Sequence, residues 1–436
     1  MLNKIQEIFS VPELRKKLIM TLLLLAVFRL GAHVPTPGID GDALANFFAR
    51  ASGGLFGFFD MFTGGALQRL TVFGLGVMPY ISASIILELL TVVLPHLAEL
   101  KKRGTEGREK ITRYTRYLTV FISMFQGFGI AMGIETMTAP DGMPLVVAHG
   151  GLSFRLTTAL TLTTGTIFLM WLGEKITTFG VGNGMSLIIM AGIIAGTPSA
   201  ITKTFSLMKS GEMQIIPLIV ACALMAVALV AIVFMETSQR RVPIQYVRKA
   251  SIGAGSKGGA SYLPLKLNPA GVIPIIFAST IVTLFPTIAT FSTAPAIQRL
   301  AQFFSPSGWF YYLLELVFIV FFTYFYTSII FNPKDIAENI QKSGGVVPGK
   351  RPGEATADYI DYVLSRLTFV GAAYLAIVAV MPQVIIQLFR MPFYFGGTSV
   401  LIVVGVGLDM MQKIESHLIA NNYSGFLSKG RMRGRY

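Results

Sequence analysis

The sequence predicts an all-α protein that crosses a membrane many times. Of its 436 residues, 53% are hydrophobic and only 13% are charged, whereas soluble domains carry about 25% charged residues. The hydrophobic residues fall in long runs separated by loops, and mean hydropathy is +0.64. A helix of about 20 apolar residues can cross a bilayer core. Together these observations exclude an ordinary soluble domain.

Ten hydrophobic runs are long enough to be predicted as spans. They lie at approximately 18–34, 72–94, 115–134, 153–173, 183–203, 214–235, 270–290, 309–331, 367–388 and 395–417. The chain would then divide into an N-terminal half, 1–208, and a C-terminal half, 209–436, with five spans each. Halves with an odd number of spans are inverted relative to one another, as inverted-repeat folds require. No residue-level repeat is visible, so the sequence permits this symmetry without showing it.

The basic residues predict that both termini lie in the cytoplasm. With the N-terminus inside, 28 of the 36 Lys and Arg residues fall in or beside cytoplasmic segments. This bias follows the positive-inside rule. No convincing small-residue cleavage site follows the first apolar run, so a removable signal peptide is not predicted.

The segment 55–71, which precedes the second span, is predicted to enter the membrane without crossing it. It is short, contains Gly64 and Gly65, and carries the charged residue Asp60. Counting it as a span would place the basic loop 95–114 outside, against the positive-inside rule. Lipid cannot satisfy a broken backbone, so such a segment must lie within protein or water. An interfacial helix is the alternative that the pattern leaves open.

Two long loops on the predicted cytoplasmic side, at about 236–269 and 332–366, are basic. Val, Ile and Tyr residues flank the cations of the first loop, as in a β-hairpin, and the second is rich in Gly and Pro. Their basic residues include Arg240, Arg241, Arg248, Lys249, Lys342 and Arg351. Anchoring of the topology alone is one explanation. The length and hydrophobic interleaving of the loops favour binding to a negatively charged partner.

Nothing in the sequence predicts an enzyme. Glycines at 253–258 fit a dinucleotide fingerprint, but no Rossmann strand precedes them. Residues 344–350 fit a P-loop, but Arg351 stands where Ser or Thr should bind magnesium. The four histidines are scattered and Cys222 is the single cysteine. We therefore predict no catalytic group, no metal site, no disulfide and no cofactor.

Two functions are compatible with a protein of this class: a channel for polypeptides, and a secondary transporter of ions or small solutes. A transporter is expected to place charged groups near the midplane of discontinuous spans. Here the predicted midplanes are aliphatic and large basic loops project from one side. The pattern favours the channel, with the transporter as the alternative.

Several long motifs identify a family. They are MPYISASI at 78–85, TRY at 115–117, GNGMS at 182–186, AGVIP at 270–274, RPGE at 351–354 and PFYFGGTS at 392–399. Through these stretches, which run from end to end, the sequence resembles the SecY family, the central channel subunit of the bacterial Sec protein translocon. The loop 236–269 differs from the family in length and detail at its tip, so individual contacts between residues 251 and 262 are not transferred.

The resemblance implies an hourglass-shaped pore that passes unfolded preproteins across the membrane and releases apolar helices laterally into it. A ring of aliphatic side chains at the narrowest point maps to Val77, Ile81, Ile189, Ile276 and Ile402. A plug within 55–71 maps to Asp60, Thr63, Gly64 and Gly65. The resemblance also implies a lateral gate between spans 2 and 3 on one side and spans 7 and 8 on the other, and we interpret the polar side chains of Ser82, Ser84, Gln126, Thr280 and Thr283 as facing one another across it. For any one of these side chains, a hydrogen bond within its own helix is the alternative role.

The resemblance also implies partners and a location. The partners are the small membrane subunits SecE and SecG, the SecA motor ATPase, the ribosome, preprotein signal sequences and the lipid bilayer. The basic loops would contact SecA or ribosomal RNA, and the location would be the bacterial cytoplasmic (inner) membrane. An extended chain needs a wet path, and an aliphatic constriction that dewets when empty prevents such a path from leaking ions.

Overall fold

The computed structural model of the protein describes residues 11–39, 44, 60, 62–136, 150–211, 214–246, 261–290, 308–389 and 397–430; at 203, 283–290, 382–383, 386–389, 397 and 421–430 it describes the backbone alone. Throughout these ranges the chain is helical apart from turns and one small sheet. This agrees with the predicted all-α class, to which the sheet is a local addition.

The first six helices form one packed group. They are α1 (Pro12–Gly31), α2 (Met78–Val93), α3 (Pro95–Lys102), α4 (Thr105–Thr136), α5 (Leu152–Phe179) and α6 (Gly184–Lys209); α7 (Ile215–Thr237) follows them and precedes the sheet. α4 packs along both α2 and α5, and α5 also contacts α1 and α6.

The remaining elements begin with two strands. They are β1 (Gln239–Tyr246), β2 (Ser261–Lys266), α8 (Ile273–Thr290), α9 (Trp309–Ile330), α10 (Pro333–Lys342), β3 (Gly345–Val346), α11 (Glu354–Phe389) and α12 (Gly397–Gly430). α9 packs between α8 and α11. α7 packs on α11 and α12 and so belongs to this second group. The two groups of helices meet where α12 contacts α6 and where α8 contacts α2.

Many of these helices can cross a membrane. Among the described residues, six are long and apolar enough by themselves: α4, α5, α6, α7, α9 and α11. α2 and α3 would add a seventh if they form one broken span, although a bend of 100° separates them. The protein is therefore a multi-pass membrane protein. The ten predicted spans exceed this number, partly because α1 contains several cations and α2 has only 16 residues.

The second predicted span begins later than the sequence suggests. The prediction placed its start at about Val72, but residues 72–77 form turns and α2 begins at Met78. Gly76 adopts a left-handed φ of +58°, and Pro79 lies in the first turn of α2. Glycine tolerates that conformation and proline suits a first turn, where its missing N–H is not needed. The predicted start was wrong because hydropathy does not register this turn.

The two long loops fold together into a single unit. β1 and β2 form the predicted antiparallel hairpin, with register from Gln239↔Lys266 to Ile244↔Ser261. β3, from the second loop, pairs with the other end of β1. Hydrophobic residues of both loops and of α11 share one buried core, which includes Val242, Ile244, Leu265, Ile340, Val347, Ile360 and Leu364. We call residues 239–246, 261–266 and 333–347 the sheet unit.

The segment predicted as a long second loop is therefore largely folded. α10 and β3 occupy its first part, and α11 already begins at Glu354. Only a short turn-rich stretch, 348–353, connects the sheet unit to α11. This turn carries the motif at 351–354, whose first residue is one of the predicted docking cations.

Candidate functional site

The five residues predicted to form the ring meet in one hydrophobic cluster between the helices. Val77, Ile81, Ile189 and Ile402 are buried members of this cluster, and the half-buried Ile276 packs against it. They come from the start of α2 and from α6, α8 and α12. We call these five residues the waist.

Local sequence explains how the helices present their waist residues. Each helix begins within two turns of its waist residue. The Asn183 side chain caps α6 by accepting hydrogen bonds from the amides of the next turn at 3.1 and 3.5 Å, which is a favourable N-cap. Before α8, Gly271 takes a left-handed φ of +63°. These caps and turns fix the start of each helix, and hence the level of Ile189 and Ile276.

A cavity of about 350 Å³ lies against the waist. Ile189, Ile276 and Ile402 line it together with polar and charged side chains. The polar and charged lining comprises Asn183, Ser186, Glu236, Lys266, Asp409, Gln412 and Lys413. Because Lys266 belongs to β2, the cavity lies on the side of the sheet unit. Its polar side chains can hold water, and its aliphatic lining includes the three waist residues together with Val272, Ile273, Val406 and Leu408.

The described part of the predicted plug, residues 60 and 62–71, packs on the same cluster. Phe62 and Ala66 are buried members of it. Asp60 and Thr63 stabilise the segment itself. The Thr63 hydroxyl donates to the backbone carbonyl oxygen of Asp60 at 3.1 Å, and the Asp60 carboxylate accepts from the backbone N–H of Gln68 at 2.9 Å. Residues 55–59 and 61 of the prediction lie outside the described residues.

Three close contacts join this segment to α1, to α6 and to the turn that precedes α2. Arg29 of α1 donates a hydrogen bond to the Gly64 carbonyl oxygen at 3.1 Å. Gly64 lies against Gly192 of α6, where an added methyl group on Gly64 would approach the Gly192 oxygen to 2.8 Å. A methyl on Gly76 would lie 2.9 Å from Thr63 Cγ2. The sequence interpretation missed Arg29 and Gly192 because no local pattern links them to a segment so distant along the chain.

The residues predicted for a lateral gate are distributed over three helices. α2 contacts α8; Ser82 and Thr280 are buried, and Ser84 and Gln126 are half-buried. Thr280 donates to the Ile276 carbonyl oxygen of its own helix at 2.7 Å. The side chain of Thr283 lies outside the described residues. The structure thus brings α2 and α8 together, and it shows a local bond for the Thr280 hydroxyl.

The predicted docking cations lie on or beside the sheet unit. Arg240 and Arg241 are exposed on β1. Lys342 is exposed at the end of α10, where it pairs with Glu338 at 2.8 Å, an arrangement that contributes little at a surface. Arg248 and Lys249 lie outside the described residues. Sheet pairing places cations from both loops on one folded body, which the sequence did not predict.

Arg351 has a particularly constrained backbone. It lies between Gly349 and Gly353, which adopt left-handed φ values of +78° and +95°. Its carbonyl oxygen accepts a hydrogen bond from the Thr356 hydroxyl at 2.8 Å, while its side chain is exposed. Within the described ranges no acidic side chain forms an ion pair with it. The arrangement presents an un-neutralised guanidinium from a fixed turn.

A buried polar contact links the end of α7 to the turn that precedes α8. The Asn268 side chain, 1% exposed, donates to a Glu236 carboxylate oxygen at 2.8 Å and to the Gly271 carbonyl oxygen at 3.0 Å. These bonds join the end of α7 to the turn that begins α8, and so to Ile276. Sequence reasoning missed this contact, since a polar residue in a loop is unremarkable until its burial is known.

Comparisons with known proteins identify relatives of the whole chain. A family model described as SecY matches residues 71–411. The protein translocase subunit SecY of Aquifex aeolicus is 46% identical over 426 residues, covering 98% of this chain and 99% of that protein. A structure reported for the plug domain of a SecY channel superposes with a TM-score of 0.63 at 18% identity. Sec61 in a canine ribosome–channel complex superposes with a TM-score of 0.60 at 16% identity. Each of these two superpositions covers 92% of this chain and 92% of the chain of known structure. The two structural likenesses show the shared fold.

Proposed function

This chain belongs to the SecY family, and from that premise we propose that it is the protein-conducting channel of a Sec translocase. It passes unfolded preproteins across the cytoplasmic membrane and releases apolar helices laterally into it. It acts as a channel subunit rather than as an enzyme. The observation that carries the proposal is the cavity of mixed polar and aliphatic lining that abuts the aliphatic waist.

The waist seals the idle channel. An extended polypeptide exposes N–H and C=O groups that each cost several kcal/mol in hydrocarbon, so its path must contain water. The polar side chains of the cavity can provide that water. At Ile189, Ile276 and Ile402 the path becomes aliphatic, and a narrow aliphatic constriction dewets when it is empty. The same side chains can separate around a passing chain because no polar bonds hold them together.

The architecture we propose is ten spans in two inverted halves, 1–208 and 209–436, with both termini in the cytoplasm. α1, α2, α8 and α12 overlap the four predicted spans that the six long apolar helices do not account for. The basic residues support the orientation. On this topology the sheet unit and the cavity face the cytoplasm, and the segment 55–71 approaches the waist from outside.

The segment 55–71 acts as a plug and the α2–α8 contact acts as a lateral gate, flanked by α4 and α9. Burial of Phe62 and Ala66 in the hydrophobic cluster that contains the waist supports the role of this segment as a plug. The plug domain of the similar SecY channel is described as stabilising the closed state and maintaining a membrane seal. Hydroxyl and amide groups at the gate, from Ser82, Ser84, Gln126, Thr280 and Thr283, make this contact easier to separate than an entirely apolar one.

Partners supply the energy and the substrate. The sheet unit, with the tip of its hairpin, is the docking surface for the SecA motor ATPase and for the ribosome, whose RNA would attract Arg240 and Arg241. SecE and SecG complete the complex in the bacterial inner membrane. The exposed, un-neutralised Arg351 supports docking, as does the ribosome-bound state of the similar Sec61 channel. A transporter of small solutes is not favoured, because the cavity is bounded by aliphatic side chains of the waist.

The test replaces Ile81, Ile189 and Ile276 together with serine and measures the ion conductance of the idle channel in planar bilayers. We expect conductance to rise, since hydroxyl groups prevent dewetting of the constriction. A matched control replaces three exposed, lipid-facing isoleucines, Ile167, Ile201 and Ile219, with serine. Unchanged conductance in a correctly folded waist variant would contradict the proposed seal.

A further inference from the structure

We propose that Arg29 and Gly192 hold the plug in its closed position, Arg29 through a hydrogen bond and Gly192 through direct backbone contact. We call these two residues the plug seat. The inference rests on the proposed function, which it extends by naming residues outside the plug that regulate the closed state. Both residues lie outside the waist, the plug and the gate as predicted from the sequence.

Arg29 binds the plug where its backbone turns. Residues 60, 62 and 63 are helical, and the Gly65 amide donates to the Asp60 carbonyl oxygen at 3.1 Å. Gly64 and Gly65 then take left-handed φ values of +66° and +87°. Carbonyl groups at such a helix end lack partners within the helix and attract cations. The half-buried Arg29 supplies both the charge and the donor to the Gly64 oxygen.

Gly192 provides a surface without a side chain. A methyl group added at Gly192 would lie 2.7 Å from the Phe62 carbonyl oxygen. The contact is reciprocal, because a methyl on Gly64 would lie 2.8 Å from the Gly192 oxygen and 2.9 Å from Arg29 Nη1. Two backbones can approach this closely only where both residues are glycine. Gly192 follows Ile189 by one turn of α6, so the plug rests on a helix that also carries a waist residue.

These contacts are suited to release. The plug seat contributes one hydrogen bond from a charged donor and one close glycine contact. A hydrogen bond of this kind changes an equilibrium by about tenfold to a hundredfold. An arriving polypeptide can overcome such a bias, whereas a fully interlocked core would resist it. The seat therefore keeps the idle channel closed and leaves the plug free to move during transport.

The chain offers a matched control for each residue. Arg15 lies on the same helix as Arg29, α1, but outside the plug segment 55–71, and its side chain is exposed. Gly196 lies one turn beyond Gly192 on α6, and a methyl group there would meet no atom within 4 Å. If the plug seat acts as proposed, substitution of Arg29 and Gly192 will have effects that substitution of Arg15 and Gly196 will not.

The experiment reports plug position through a cysteine at Thr63, which is 2% exposed in the closed state. Cys222 is first replaced with alanine, so that Thr63→Cys introduces the single thiol. A membrane-impermeant maleimide is added to spheroplasts from outside, and the labelling rate is measured. We expect Arg29→Gln and Gly192→Ala to raise the labelling rate by about tenfold or more. The rate of Arg29→Lys should lie between the rates of these variants and that of the parent. The labelling rates of Arg15→Gln and Gly196→Ala should stay within about twofold of the parent rate.

Three outcomes decide the matter. Rates that rise only in the Arg29 and Gly192 variants support the plug seat. Unchanged rates in these variants would overturn it, while a conductance increase in the waist triple variant would leave the channel proposal intact. Equal increases in the control variants would also overturn it, because general loosening of the bundle would then explain the labelling. If Gly192→Ala does not fold, the comparison of Arg29→Gln with Arg15→Gln still decides.

Discussion

The hydrophobic cluster that contains the waist and the core of the sheet unit are built from the same types of aliphatic residue. Their surroundings differ, because the first is surrounded by lipid and the second by water. In β1 the pattern is that of a water-soluble protein: Val242 and Ile244 are buried, and Arg241 and Pro243 between and beside them are exposed. The helices around the waist lack this contrast between buried apolar and exposed polar residues. Ile216, Val227 and Phe234 of α7 are as apolar as any waist residue, yet they are exposed on its outer surface.

The difference shows what hydrophobicity can and cannot specify. In water, burial of apolar surface is favourable by roughly 25 cal/mol per Å², so polarity decides which face of a strand points inward. Between lipid and protein this driving force is absent, and close packing of small residues decides instead. Contacts such as Gly64 on Gly192 are of the second kind. We infer that the sheet unit is the firmly folded part and that the waist can separate.

The largest expected effect compares one substitution in the two environments. Ile244→Ala removes a buried side chain, 4% exposed, from the core of the sheet unit. We expect this to lower its unfolding free energy by about 2–5 kcal/mol. Ile219→Ala in α7, where the side chain is 61% exposed, should change stability by about 0.5 kcal/mol or less. Hydrogen exchange at the β1 amides measures the effect of Ile244→Ala, and thermal unfolding in lipid nanodiscs measures that of Ile219→Ala. Equal losses of stability in the two variants would contradict the comparison.

A second prediction separates the stability of the sheet unit from its function. Arg351→Glu should leave folding and membrane insertion unchanged, because no acidic partner of Arg351 occurs in the described ranges. Binding of the motor should weaken, since breaking a close charge pair costs about 2–5 kcal/mol. Export of a preprotein into proteoliposomes at low salt is the measurement. The control is Lys334→Glu, at the exposed first turn of α10. Normal export with Arg351→Glu would show that the Arg351 charge serves topology alone.

The smallest expected effect depends on salt. Arg240 and Arg241 lie opposite Leu265 and Pro264 in the hairpin, and both side chains are exposed. Replacing both with Glu should retain the hairpin and weaken ribosome binding. If each arginine contacts one phosphate, the slope of log affinity against log salt should become shallower by about 1–2. An unchanged slope in a titration of ribosomes would indicate that these arginines do not meet RNA.

Parts of this structure were predictable because their signals are local. The Val, Ile and Tyr residues that flank the cations of the first loop predicted the β1–β2 hairpin, and the register confirms it. β3 was not predictable, since a strand of two residues, Gly345 and Val346, carries no pattern of its own. Its partner in β1 lies about a hundred residues earlier in the chain, so only the fold brings them together.

The sequence by itself determined the membrane class, through its long apolar runs, and the family, through its motifs. It also determined where several helices begin, because caps such as Asn183 act within one turn. Only the tertiary structure decided which of several similar side chains faces inward: in α2, Ile85 is 2% exposed and its neighbour Ile86 is 37% exposed. It alone brought Arg29 to Gly64 and Gly192 to Phe62. The physical reason is that lipid and protein interior are equally apolar, so helix packing selects the inner face where polarity cannot.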